Sequence, residues 1–451
     1  MLISKYSAPD FNPYQNEDPE EPPTLWAAPH AQGPLRASLT LPGSKSLTNR
    51  ELVLAALADG PSTLHAPLHS RDTDGMADAL RALGVTIDEV SEPGAFGKDW
   101  RVTPGELVGS TTIDCGQAGT IMRFLPPVAA LALGPTTIDA DASARSRPMS
   151  ALIDALRLAG VDINDDGRGR LPFTVHGTGR LPGGEVSVDA SASSQFLSAL
   201  LLAGARFEQG IHVTHTGPSL PSLPHIRMTV ACLAAHGVAV HEPGPAQWLI
   251  EPGAIRATDT TIEPDLSNAA PFLAAALVAG GSVTIEGWPA TTTQVGGQLV
   301  RFLPLFGGKV EAADGRLTAT GTGRVSPVRL DLSEAGELAP TLTALAALAD
   351  GPSDITGIGH IRFHETDRIQ ALTDEINALG GQVTATPDGL HIEPRALHGG
   401  VWQSHDDHRM ATSGALLGLA VPGVEIDGIG STAKTLPQFP ELWTRMYAEH
   451  G

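Results

Sequence analysis

A short polar segment, an Ala/Leu-rich run and a Gly-bounded β-branched run follow one another six times along the 451 residues of this chain. The polar segments are Gly43-Ser44-Lys45-Ser46, Gly116-Gln117-Ala118-Gly119-Thr120, Ser191-Ala192-Ser193-Ser194-Gln195, Asp265-Leu266-Ser267-Asn268, Ala335-Gly336-Glu337 and Asp406-Asp407-His408-Arg409. With Ser46, Thr120, Ser194, Ser267, Glu337 and His408 as markers, the spacings are 74, 74, 73, 70 and 71 residues. Ala/Leu-rich chains yield false repeats easily, but here polar residues keep the phase as well as apolar ones. Self-similarity at a fixed period signals stacked or pseudo-symmetric units that share a core.

Each segment leads into a helical pattern, as at 50–58, 124–133 and 272–279, and then a strand pattern, as at 136–138 and 282–285. Several units add a second helix and strand, as at 76–87, 151–163 and 374–383. The chain is too long for one core, so two domains of roughly 200 residues are expected, with three units in each. Where a helix begins, unpaired N–H groups and the positive end of the dipole are exposed. Several such ends facing one cleft make a site for polyanions.

Composition narrows the partners. The net charge of −21 argues against nucleic-acid binding, which needs a broad basic face. It leaves room for a small anionic ligand, because a few cations in one cleft can outweigh a distant acidic surface. There are only five lysines, and two of them, Lys45 and Lys434, fall in the motifs below. No apolar run reaches the ~18–20 residues of a membrane span. Cys115 and Cys232 match no metal-ligand spacing and read as free buried thiols of a reducing, cytoplasmic compartment. From residue 1 to about 33 the chain lacks apolar periodicity and is rich in Pro, Asp, Glu and Asn, without the features of a secretory or transit peptide. It is expected to be a disordered tail.

Four constellations carry chemistry. Leu41-Pro42-Gly43-Ser44-Lys45-Ser46-Leu47-Thr48-Asn49-Arg50 offers hydroxyl donors, a compact charge and a guanidinium one turn beyond Ser46. It is not a nucleotide phosphate loop, since the G-x-x-x-x-G-K spacing is absent. Gly119-Thr120-Ile121-Met122-Arg123, followed by Ser146-Arg147-Pro148, pairs a glycine that admits a ligand close to the backbone with a bidentate fork. Ser193-Ser194-Gln195 and Ser222 suit a polyhydroxylated phosphorylated ring, although a Ser-Ser pair at a helix start is by itself ordinary N-capping. The fourth set is His364-Glu365-Thr366-Asp367-Arg368, Asp407-His408-Arg409-Met410 and Lys434-Thr435-Leu436-Pro437. Glu365 and Arg368 alone could be a local salt bridge. His405 and His408 lack a matching pair at ligand spacing, so no metal is expected.

These seven motifs (LPGSKSLTNR, QAGTIMR, SRPM, SASSQF, ETDR, DHRM and KTLP) occur in an order in which the sequence, from about Leu35 to its end, resembles the 5-enolpyruvylshikimate-3-phosphate synthase family. The resemblance implies an α/β (α+β) fold: a two-domain inside-out α/β barrel, each domain three copies of a βαβαββ-type unit, with the active site in the interdomain cleft. It places the first domain at 34–43 and 263–451 and the second at 44–262, beyond the tail at 1–33. The chain would cross between them near Gly43 and Ile262.

The resemblance also implies the activity, transfer of the enolpyruvyl group of phosphoenolpyruvate to the 5-hydroxyl of shikimate 3-phosphate on the way to chorismate and the aromatic amino acids. It implies a monomer without cofactor. Lys45, Gly119, Arg147, Gln195, Arg368, Arg409 and Lys434 are then the expected phosphoenolpyruvate contacts. Ser46, Arg50, Ser193, Ser194, Gln195, Ser222, Glu337 and His364 are those of shikimate 3-phosphate. Lys45, Glu337, Glu365 and His408 form the expected catalytic set, and Gly119 rather than Ala implies sensitivity to glyphosate. Four positions depart from the family's commoner residues: Glu337 for Asp, His364 for Lys, His225 for Tyr and His360 for Asn.

Two alternatives differ on specific residues. The sister family that acts on UDP-N-acetylglucosamine typically has Gly-Ala-Lys-Asn in place of Gly43-Ser44-Lys45-Ser46 and a mobile-loop Cys, which neither Cys115 nor Cys232 matches convincingly. A non-catalytic binding protein on the same scaffold should have lost charged site residues that are all present here.

Overall fold

Helix Ala269–Ala279 has no polar side chain, and ten of its eleven residues are buried. A helix that is apolar on every side has to be surrounded by protein, and its alanines let neighbours approach closely. The same holds for Lys45–Leu57, Gly119–Ala130, Gln195–Gly204, Ala339–Ala347 and His408–Ala420, which bury most of their length. These six helices form two triplets, each packed within itself. Amphipathic helices lie outside them; Arg71–Ala82, for example, buries Thr73, Met76, Ala77 and Leu80 along one stripe. The structure is a computed structural model that describes residues 25–448. Among the described residues no helix is long and apolar enough to cross a membrane.

Six sheets wrap the two triplets, three to each. Thr111–Asp114, Leu133–Asp139, Phe173–Thr178 and Asp162–Asn164 pair in that order, parallel at the first junction and antiparallel at the next two. Arg329–Asp331, Ser353–Thr356, Gly389–Glu393 and Gln382–Thr386 repeat the pattern, so the unit is βαβαββ. The strands alternate buried and exposed positions, as Leu35–Leu39 does, with the inward face against the helices.

Two leading strands come from beside the domain crossings. Leu35–Leu39 lies parallel to Gly281–Glu286, and Thr260–Thr261 lies parallel to Ser62–His65. One core draws on residues 52–255, the other on 28–41 and 266–446. The two crossings run side by side. Ser44 N donates to Glu263 O at 2.8 Å, and Asp265 N to Pro42 O at 2.9 Å. A Cβ on Gly43 would meet Ala66 O and, at 3.0 Å, Ile262 Cγ2, so only glycine fits at this close approach.

One expectation needs correction. A tail was expected through residue 33; residues 1–24 lie outside those described, but residues 25–33 are not a tail. Trp26–Ala27 pairs antiparallel with Val424–Asp427 as the third strand of its sheet. Ala28 N donates to Val424 O and Ala31 N to Leu419 O, both at 3.0 Å, and a Cβ on Gly418 would collide with Ala28. A two-residue strand carries no alternation to read. It exists because a two-stranded sheet offers it an open edge.

Candidate active site

Because the units share one orientation, all six inner helices begin at the same gap between the domains. Residues at each of those starts line a single cavity there: Lys45, Gly119, Gln195, Ser267, Glu337 and His408. The cavity wall carries five cations, Lys45, Arg123, Arg147, Arg368 and Arg409, against three carboxylates, Asp265, Glu337 and Glu365. In a protein of net charge −21 this is a local reversal of sign, and low-dielectric walls focus it.

Lys45, Arg368, Arg409 and Lys434 are held in place by carboxylates. Arg368 donates from Nε to Asp407 Oδ2 at 2.7 Å and from Nη2 to Asp407 Oδ1 at 3.1 Å, a bidentate pair, and from Nη2 to Glu365 Oε2 at 2.9 Å. The other Glu365 oxygen accepts from Lys434 Nζ at 2.8 Å. Lys434 also donates to the Gln117 carbonyl of the opposite domain at 3.2 Å. Arg409 Nη2 reaches Glu337 Oε2 at 3.3 Å, and His225, from the opposite domain, lies 3.4 Å from Glu337 Oε1. Lys45 Nζ is 3.2 Å from the buried Asp72.

Three helix starts are closed by their own carboxylates. Asp265 accepts from the backbone N of Asn268, Asp367 from Gln370 and Asp407 from Arg409, at 2.9, 3.0 and 2.8 Å. The expectation of exposed N–H groups at every start therefore holds only in part. Helix Gly119–Ala130 has no side-chain cap. Two guanidiniums flank this open end: a Cβ on Gly119 would stand 2.7 Å from Arg123 Nη1 and 3.8 Å from Arg147 Nη1. Arg123 donates to Gln195 Oε1 and Arg147 to the Gln117 carbonyl, each at 2.9 Å, while both Nε atoms are buried without a partner. Burial, then repulsion from Arg147, lowers the Arg123 pKa to about 10. Two buried like charges at an open helix end form a site suited to an anion.

Glu337 and Glu365 are held ionised, and His360, His364 and His408 neutral. Burial opposes ionisation of Glu365, but Lys434 and Arg368 outweigh it and hold the carboxyl well below the usual range. Burial is likewise overcome at Glu337 by His225 and Arg409. Burial and then Arg368 keep His364 neutral; burial and then Arg409 do the same for His408. Burial lowers His360 to about 4. His364 Nδ1 accepts from Arg368 Nη1 at 3.0 Å, which fixes the proton of that ring on Nε2. Lys434 is lowered chiefly by burial, against the pull of Glu365.

Of the residues singled out in the sequence, Lys45, Ser46, Gly119, Arg147, Ser193, Ser194, Gln195, Ser222, Glu337, His364, Glu365, Arg368, His408 and Arg409 all line the cavity. Lys434 reaches it through Glu365. Arg50 is the exception. The residue lies within the helix triplet, 1% exposed and 5.2 Å from the Phe124 ring. Its guanidinium donates to Thr229 Oγ1, the Ser46 carbonyl and the His225 carbonyl. Arg50 here buttresses Ser46 and His225 from one turn further along the helix, inside the triplet. Sequence reasoning did not assign Arg123, Asp72 or Asp407. Arg123 stood inside a quoted motif, one turn after Gly119, and that spacing was the available signal.

The model of EPSP synthase (3-phosphoshikimate 1-carboxyvinyltransferase) matches residues 29–443. A 3-phosphoshikimate 1-carboxyvinyltransferase of Kocuria rhizophila is 52% identical over 433 residues, 95% of this chain and 97% of the relative. The 2.37 Å structure of EPSP synthase from Acinetobacter baumannii superposes with a TM-score of 0.74 at 27% identity, covering 94% of this chain and 97% of that one. The enolpyruvyl transferase NikO from Streptomyces tendae shares the fold, with a TM-score of 0.71 at 18% identity over 94% of this chain and 97% of its own.

Proposed function

The chain belongs to the EPSP synthase family, and from that premise we propose how it works as a 3-phosphoshikimate 1-carboxyvinyltransferase. The enolpyruvyl group of phosphoenolpyruvate passes to the 5-hydroxyl of shikimate 3-phosphate, and phosphate leaves. The observation that carries this reading is the sign reversal in the cavity, where five cations from both domains face one gap. Two phosphorylated acids need such a place, and cations gathered there from both domains hold the reactants together.

Protonation of the methylene carbon of phosphoenolpyruvate makes C2 electrophilic, and the 5-hydroxyl adds to give a tetrahedral adduct. Loss of a proton from the former methylene carbon then expels phosphate. We assign proton movement at that carbon and at the leaving group to Glu365 and Lys45, and removal of the hydroxyl proton to Glu337. His408, neutral beside Glu365, completes the catalytic set.

Both carboxylates are clamped by cations before substrate arrives, and the anions of phosphoenolpyruvate compete for those cations. As Lys434 and Arg368 turn to the ligand, Glu365 is released and its proton affinity rises. Arg409 does the same for Glu337. Arg123 and Arg147 at the open helix end near Gly119 take another anionic group of phosphoenolpyruvate. Ser46, Ser193, Ser194, Gln195, Ser222 and His364 face the hydroxylated ring, with Gln195 also beside Gly119.

The first domain takes 25–43 with 263–448 and the second 44–262, and the two close on the cleft. The working unit is a monomer, since residues from all six helix starts of one chain already complete the cavity wall. Phosphorylated substrates, which do not diffuse through membranes, support a cytoplasmic reaction. The test is phosphate release measured with both substrates, each alone, and UDP-N-acetylglucosamine as rival acceptor. Release should require phosphoenolpyruvate and shikimate 3-phosphate together; release with the nucleotide sugar instead would overturn the reading.

A further inference from the structure

Glu337 stands on a short turn, Gly336–Leu338, of one domain, and its carboxylate is gripped from three elements. Arg409, on helix His408–Ala420, lies 3.3 Å from Oε2. Ser267, just before helix Ala269–Ala279, lines the same cavity and helps to hold the carboxylate ionised. His225, on helix Leu223–Ala235, lies 3.4 Å from Oε1. Only His225 belongs to the opposite domain.

Its segment is built to reach across. Ser222 adopts a left-handed conformation at φ 55°, a costly one for a residue with a Cβ. In that conformation its N–H donates across the gap to Ser333 O at 3.4 Å, four residues before Glu337. The His225 carbonyl is fixed from below by Arg50 Nη2 at 3.2 Å and by Thr229 Oγ1 at 3.0 Å. The imidazole thus stands on a buttressed backbone, while the strained turn beside it docks on the segment that carries Glu337. The charged and titratable groups around the ring are Glu337 itself, Arg409 beyond it, and His360 from the turn Gly359–Phe363.

We propose that His225 is a positioning residue for Glu337, a cross-cleft donor that fixes Oε1 and so gives the base its working geometry only when the two domains meet. This rests on the assignment of Glu337 as the base. A glutamate has one more torsion to fix than an aspartate, and Arg409 and Ser267 hold it from its own domain only. The third tether removes the remaining freedom, and it forms with domain closure. That His225 and Glu337 touch across the cleft makes them one coupled feature, an imidazole of one domain set against the carboxylate of the other.

The test compares His225→Phe, His225→Gln, Glu337→Asp and the His225→Phe/Glu337→Asp double variant with the parent, by phosphate release at varied concentrations of each substrate. Thermal unfolding of every variant reports folding. His225→Phe should lower kcat by about 30-fold, since small misplacements of a catalytic group cost up to ~100-fold, with KM for shikimate 3-phosphate within about threefold. His225→Gln, which keeps an N–H at the end of a similar arm, should recover most of that loss. In the Glu337→Asp background, where the carboxylate no longer reaches, His225→Phe should add little. A kcat for His225→Phe within twofold of the parent, a loss confined to KM, or fully additive losses in the double variant would overturn the proposal. An inactive parent would instead sink the assigned reaction, and this inference with it.

Discussion

The Lys434 ammonium donates to the Glu365 carboxylate at 2.8 Å although the two residues are 69 positions apart, and it reaches over to the Gln117 carbonyl of the other domain at 3.2 Å. A buried cation thus ties together the carboxylate proposed to move protons and the opposite wall of the cleft. The pair is nearly dry, with the two side chains 1% and 15% exposed. Removing one partner of such a pair leaves the other charge short of its compensation.

Lys434→Ala should therefore raise KM for phosphoenolpyruvate by about 10- to 100-fold, the worth of one to two charge-assisted contacts. Binding of shikimate 3-phosphate alone, followed by calorimetry, should change by less than about threefold. Equal losses for both substrates would remove Lys434 from the phosphoenolpyruvate site.

Glu365→Gln keeps the shape of the side chain and discards its charge and proton affinity. Turnover should fall by ~10²–10⁴-fold, the usual span for a general acid–base group, with shikimate 3-phosphate binding retained. Near-normal kcat would take Glu365 out of proton transfer.

Gly119→Ala places a methyl 2.7 Å from Arg123 Nη1 and 3.3 Å from Gln195 Oε1. The guanidinium can swing away, so the protein should fold, but the anion site is crowded. KM for phosphoenolpyruvate should rise by about 10-fold, in line with ~1–3 kcal/mol for overpacking. The parent should be inhibited by glyphosate well below millimolar concentration and the variant less so. An inhibition curve flat to millimolar inhibitor in the parent would contradict the expected sensitivity.

Burial holds His360 neutral by lowering its pKa from 6.5 to about 4. Unfolding frees the imidazole to bind a proton below pH 6.5, so its contribution is complete above that pH and drains away as pH falls toward about 4. The full swing is on the order of 3 kcal/mol. His364 and His408 are lowered in the same sense. Thermal unfolding from pH 7.5 to 4.5 should show Tm falling less steeply in His360→Asn than in the parent. Parallel slopes would show that His360 is not the group responsible.

The repeat, the helix starts and most of the cavity wall could be read from the chain because each is a local pattern. Apolar periodicity marks a helix, a polar residue before it marks the start, and a period of about 70 residues sets how many there are. Residues such as Lys45, Gly119 and Arg409 could be singled out because they stand at those starts. The caps were harder. Asp407 was visible in its motif, yet nothing local says that its carboxylate both closes its own helix and clamps Arg368, 39 positions earlier.

What the sequence determined by itself is the unit: which runs turn helical, which turn extended, and which polar residues sit where a helix opens. Backbone propensity and apolar spacing act over a few residues, so they are written along the chain. The tertiary structure alone decided the partners. It turned Arg50 into the helix triplet and Arg147 toward the cavity, set Trp26–Ala27 on an open sheet edge, and brought His225 of one domain to Glu337 of the other. A side chain's partner depends on how two packed surfaces are oriented, and that is set by the burial of whole cores rather than by the residues on either side of it.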